Sequence, residues 1–130
     1  MARLVSGDFA DMLHELVIKF DWDPVNDQRT YSEVTANMPE PDKRELDQLL
    51  RRLLRILETI AIQIKHKIID DSICYEYLSS MGPRIHTACA TFMEKERKNR
   101  NDKRVFDLFA DAVVRWERRN VENGAPQTKR

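Results

Sequence analysis

The sequence predicts an all-α fold: a compact bundle of four or five helices around one long central helix, over about residues 42–69. Three observations predict it. Leu46, Leu50, Leu53, Leu57, Ile60 and Ile64 follow one another at alternating steps of four and three, the spacing of a helical seam. Two further segments, one near each end, carry apolar stripes of the same period. Only 3 of 130 residues are glycine while 34% are charged, which leaves few turn residues for a many-stranded sheet or a phosphate-cradling loop. A chain of this length with 42% hydrophobic residues buries roughly 65–70% of its unfolded surface, so it needs neither metal nor disulfide to fold. One domain over residues 1–120 is expected, with a disordered tail over 121–130 that contains Gly124 and Pro126.

The first helix is expected from about Asp8 to Phe20, because Phe9, Met12, Leu13, Leu16, Val17 and Phe20 share one stripe. Ser6 or Asp8 is its candidate cap, and Pro24 closes the pattern by pushing the residue before it out of helical geometry. Residues 25–41 form a polar connector in which Val25, Tyr31, Val34 and Met38 are left to pack, room for one short helical turn. Long loops of this kind often carry function.

The central helix has Pro41 in its first turn and runs to about Ile69, with Leu49, Leu54, Ile56, Ala61 and Ile68 widening the seam. That arc is wider than a two-chain coiled coil needs, so other helices of the same chain are expected to cover it. Asp70, Asp71 and Ser72 suit the start of a third helix, since oxygen acceptors satisfy free N–H groups there. Gly82-Pro83 is expected to kink or break it before Ile85, Ala88, Cys89, Phe92 and Met93 resume the stripe. Asn101 or Asp102 is the candidate cap of the last helix, whose stripe is Val105, Phe109, Ala112 and Trp116.

Charge is balanced overall, 22 basic against 22 acidic residues, but unevenly distributed. Residues 1–50 hold 5 basic and 11 acidic residues, net −6; residues 51–130 hold 17 and 11, net +6. Packing of the two halves against each other neutralises such a split internally, while exposed it steers an oppositely charged partner or pairs two copies as a homodimer. The longest stretch free of Asp, Glu, Lys and Arg, Ile85 to Met93, has nine residues, far short of the roughly 20 that span a bilayer. The start of the chain lacks the apolar core of a signal peptide. Cys74 and Cys89 lack redox or zinc-pair spacing, so a reducing, cytoplasmic setting without membrane contact is expected.

The run Leu53-Leu54-Arg55-Ile56-Leu57-Glu58-Thr59-Ile60-Ala61, then Lys67-Ile68-Ile69-Asp70, then an aromatic-rich helix closing on Trp116, resembles the cytosolic helical part of an uncharacterised bacterial domain-of-unknown-function family. The resemblance covers roughly residues 46–116. Members often carry an N-terminal transmembrane segment. What the resemblance implies is a fold of packed helices, with no known reaction attached.

Candidate chemistry is sparse. Glu58 sits among Ile56, Leu57, Ile60 and Ala61, where burial raises a carboxylate pKa toward general-acid use. Arg51 and Arg55 stand seven and three residues before it near the same face, so a structural ion pair among Arg51, Arg55 and Glu58 is the expectation. His86 and Cys89 have a spacing compatible with two zinc ligands, but a half-buried histidine beside an inert core cysteine is the commoner arrangement, and no metal or cofactor is expected. No nucleophile elbow, zinc-protease or phosphate-loop motif is present, and no enzymatic activity is expected.

The sharpest surface feature is the ridge Lys95–Arg104, with six positive and two negative residues. Lys95, Arg97, Lys98, Arg100, Lys103 and Arg104, with Arg115, Arg118 and Arg119 on the last helix, are the candidate partner-binding residues. The expected function is that of a non-enzymatic protein–protein interaction module, a small adaptor or inhibitor of bacterial or phage origin that occludes an acidic protein surface. The alternative is a nucleic-acid-associated protein using the same ridge, although no aromatic residue interleaves the ridge to stack a base.

Overall fold

The structure, a computed structural model, describes residues 4–124, and every regular element among them is helical. A π-helical turn, Leu4–Phe9, leads directly into α1, Ala10–Phe20. The chain is therefore already helical at Asp8, and the cap expected at Ser6 or Asp8 is replaced by continuous helix. α1 ends where Asp21 turns left-handed (φ 51°), its N–H donating to the Val17 carbonyl at 3.0 Å while the Trp22 N–H donates to that of Leu16 at 3.5 Å. The Asp23 carboxylate then accepts the N–H groups of Val25 and Asn26, holding the turn around Pro24.

The connector contains the single short helix expected of it, α2, Tyr31–Thr35, opened by a capping box in which Thr30 and Glu33 satisfy each other's backbone. α3, Glu40–Lys65, is the axis of the molecule: 26 residues, about 39 Å long. Leu46, Leu50, Leu53, Leu57 and Ile60 of the seam are buried along it, and α1 and α7 (Asp107–Glu122) cover it. The central helix stops four residues before the expected Ile69. Lys67 takes the left-handed conformation (φ 58°), and the N–H of Ile68 returns to the Gln63 carbonyl. The seam has run out of partners there, for Ile68 is 70% exposed.

α4, Asp71–Leu78, starts where the sequence predicts, with the Asp70 side chain accepting the Ser72 N–H at 2.8 Å. The following break falls at Ser79–Ser80, and Gly82 and Pro83 sit inside the first turn of α5, Met81–Ala88, where a proline is tolerated. Gly82 has a separate reason to be glycine. A Cβ there would lie 2.9 Å from Cζ3 of the buried Trp116, so α5 reaches α7 through its missing side chain. A second break at Cys89 separates α5 from α6, Ala90–Arg100. These breaks, with α2, explain why the bundle has seven α-helices among the described residues and not four or five.

α7 runs past Trp116 to Glu122, so Val121 and Glu122, expected in a disordered tail, are its last turn. Residues 125–130 lie outside the described residues. The core holds Trp22, Trp116, Phe9, Phe92 and Phe109, each fully buried, around the leucines of α3.

Candidate functional site

The basic ridge folds as a corner. α6 turns Phe92, Met93 and Glu96 inward, a three- and four-residue spacing that leaves Lys98 and Arg100 outside. Asn101 ends the helix in the left-handed conformation (φ 50°), so it closes α6 and does not open α7. The Asp102 carboxylate accepts the Arg104 N–H at 2.9 Å, and this bond holds the carboxyl below its usual range. Phe106 then turns left-handed (φ 66°) as it buries its ring, and α7 begins at Asp107.

The cap expected from Asn101 or Asp102 comes instead from α3. Glu58 Oε1 accepts the Phe109 N–H at 2.8 Å, placing a carboxylate at the positive end of α7. This corrects the expected ion pair of Arg51, Arg55 and Glu58. Arg51 is turned to Glu96 and Arg55 to solvent, which leaves the Glu58 carboxylate to the unsatisfied N–H groups of α7. Burial pushes the Glu58 carboxyl above its ordinary value; the N–H groups of Phe109 and Leu108 oppose that shift.

Arg51 belongs to a different pair. Its Nε donates to Glu96 Oε1 at 2.7 Å and its Nη2 to Glu96 Oε2 at 3.2 Å, a two-pronged contact across α3 and α6. Arg100 approaches the same carboxylate at 3.6 Å. Glu96 is 2% exposed, so its charge is neutralised from above by two guanidinium groups. Among the described residues Arg55 enters no ion pair, and it stands exposed one turn along α3 from Arg51.

Between α3 and this corner opens a cleft of about 560 Å³. Arg51, Arg55, Arg100 and Arg104 border it, Val105 and Leu108 give it an apolar floor, and Glu58 lies within it. Lys65, Asp102, Phe106, Asp107 and Asp111 also line it, and Arg55 borders a second, smaller hollow with Asp8 and Met12.

The cations expected to act together are divided by the fold. Lys98, Arg100, Lys103 and Arg104 are exposed on the corner. Lys95 instead donates to the buried Asp47 at 2.8 Å, which raises its pKa, and stands 3.3 Å from the Tyr31 hydroxyl. Tyr31 in turn donates to Asp47 at 2.7 Å and packs against Phe92, so this network fastens α2 to α3 and α6. Arg97 donates to the Val105 carbonyl at 2.9 Å, bracing the corner from inside. On α7, Arg115 lies 3.8 Å from Asp71 and Arg119 stacks 4.2 Å from the Tyr75 ring centroid, both holding α4. Arg118 is exposed.

Sequence reasoning missed Asp47 and Glu96 as buried carboxylates. The signal was present: both fall on the apolar stripe of their helices, Asp47 beside Leu46 and Glu96 three residues after Met93. His86 is half-buried against Phe109, and burial lowers its pKa; Cys89 is fully buried, its thiol pushed up to about 12. Among the described residues no three His, Cys, Asp or Glu side chains gather to hold a metal ion, and no helix is long and apolar enough to cross a membrane.

A family model described as a domain of unknown function, DUF4760, matches residues 5–116, which extends the similarity over α1 and the connector as well as the 46–116 region. No curated protein and no solved structure matches the chain.

Proposed function

Taking as premise that the chain belongs to this family of domains of unknown function, we propose that it is a non-enzymatic interaction module that binds an acidic protein surface through the corner between α6 and α7. The observation that carries the reading is the division of the cations. Lys98, Arg100, Lys103 and Arg104 remain exposed on one rigid corner, braced by the Arg97–Val105 and Arg51–Glu96 contacts. Braced, exposed charges of one sign steer a partner without having to be ordered on binding. The module acts as a small adaptor or inhibitor of bacterial or phage origin, working in the cytoplasm by covering its partner's surface.

The test is charge reversal. Lys98, Lys103 and Arg104 changed together to Glu should leave the fold intact, since exposed charges contribute only about 0–1 kcal/mol per pair. Association with the partner captured from the native host should slow in the variant, as it does for the wild type in added salt. Unchanged association sinks the reading. A wild-type affinity for DNA or RNA that falls linearly on a log–log salt plot, flattened by the reversal, replaces the protein partner with nucleic acid.

A further inference from the structure

The cleft beside the corner has a chemistry that docking of an acidic surface does not use. Its basic end collects four guanidinium groups, Arg51, Arg55, Arg100 and Arg104, around one small volume. Three of the carboxylates around them are already committed. Glu96 is held by Arg51 and Arg100, Asp102 by the backbone and side chain of Arg104, and Glu58 by the first turn of α7. Five cations, these four and Lys65, thus line the cleft against four carboxylates, Glu58, Asp102, Asp107 and Asp111, and Arg55 has no ion-pair partner among the described residues. Arg100, at 3.6 Å, and Arg104, at 3.4 Å and 86% side-chain exposure, hold their carboxylates loosely enough to turn toward another anion.

Two features select the kind of anion. A planar guanidinium fork matches the oxygens of phosphate, and several forks converging on one dianion suit it better than a single carboxylate. Next to the forks lies the apolar floor of Val105 and Leu108, and the cleft, at about 560 Å³, is of small-molecule size. The geometry points to a binding site for a phosphate monoester carrying an apolar or aromatic group, with Arg55 as its principal anchor, Arg100 and Arg104 as closing contacts, and the organic group on Val105 and Leu108. The inference shares its corner with the docking reading but stands on Arg55 and the cleft floor, which that reading does not need. A free aromatic phosphate and a phosphorylated side chain of a partner present the same chemistry.

The probe is phenyl phosphate, titrated into isotope-labelled full-length protein at constant ionic strength and followed by NMR of the backbone amides and arginine Nε–H groups. Saturable shifts are expected at Arg55, at Arg100 and over residues 104–108, and inorganic phosphate should bind more weakly because it leaves the floor empty. Arg55→Ala should weaken phenyl phosphate by about tenfold or more, and Arg55→Lys, which keeps the charge but loses the fork, by less. Arg104→Ala provides a second variant, and unchanged circular dichroism shows that both remain folded. Shifts that do not saturate, that sodium chloride reproduces, or that persist undiminished in both variants overturn the site. A phosphotyrosine peptide that binds more tightly than phenyl phosphate, with its unphosphorylated form inert, assigns the phosphate to a partner; the reverse order assigns a free small molecule. The Lys98→Glu, Lys103→Glu double variant separates the two readings: loss of partner association with phenyl phosphate still bound removes nothing from this site, and loss of phenyl phosphate binding there overturns Arg55 as the anchor.

Discussion

The carboxylate of Glu58, in the middle of α3, accepts the backbone N–H of Phe109 at 2.8 Å, so the last helix is capped by a residue 51 positions earlier in the chain. A local cap would leave α7 free to pivot at its start. A cap from α3 fixes where α7 begins along the central helix, and with it the position of the turn that carries Asp102 and Arg104.

Removing this carboxylate tests its role. Glu58→Ala should destabilise the fold by about 1–2 kcal/mol in denaturant titration, the range of a lost N-terminal cap. Glu58→Gln keeps an oxygen acceptor and should lose less than half of that. Its deficit should also depend on pH. Burial raises the folded-state pKa of Glu58, so between the unfolded and folded values the native state holds the proton more tightly and wild-type stability falls as pH rises. Glutamine does not titrate, and the gap between wild type and Glu58→Gln should narrow on going from pH 4 to pH 7. An alanine variant as stable as wild type removes the cap from the account.

Glu96 is buried and depends on Arg51. Arg51→Ala should therefore cost about 2–4 kcal/mol, because it leaves a buried carboxylate with only the longer Arg100 contact. The double variant Arg51→Met, Glu96→Met should recover most of the loss, since an apolar pair of similar volume replaces the ions. Additive losses in that pair, measured as a double-mutant cycle, contradict the coupling.

Tyr31 offers an alkaline signature. Burial and the hydrogen bond to Asp47 raise its pKa to about 12. Above the ordinary tyrosine value the unfolded chain loses this proton while the folded chain keeps it, so stability should decline as pH rises through that interval. Tyr31→Phe should cost about 0.5–1.5 kcal/mol at neutral pH and should lessen the alkaline slope. A slope unchanged by the substitution shows that other groups produce it.

Gly82→Ala places a methyl 2.9 Å from the Trp116 ring, which is fully buried and tied by its Nε1–H to Asp71 at 3.1 Å. The variant should lose about 1–3 kcal/mol from overpacking and show a changed near-ultraviolet tryptophan signal.

Much of this architecture is written in local pattern. The heptad seam of α3, the Asp70 cap and the single turn of the connector all follow from spacing and turn chemistry within a few residues, because helix formation and capping are decided over one or two turns. The basic character of Lys95–Arg104 was equally legible. What tertiary structure decided is the use of each charge. Lys95 and Arg97 were drawn into Asp47 and the Val105 carbonyl, Arg51 was turned to Glu96 across 45 residues, and Glu58 was taken from its neighbouring arginines by α7. Arg55 was left facing the cleft. A buried polar group must find a partner wherever the fold brings one within about 3 Å, and that choice lies between helices distant in sequence, where periodicity carries no information.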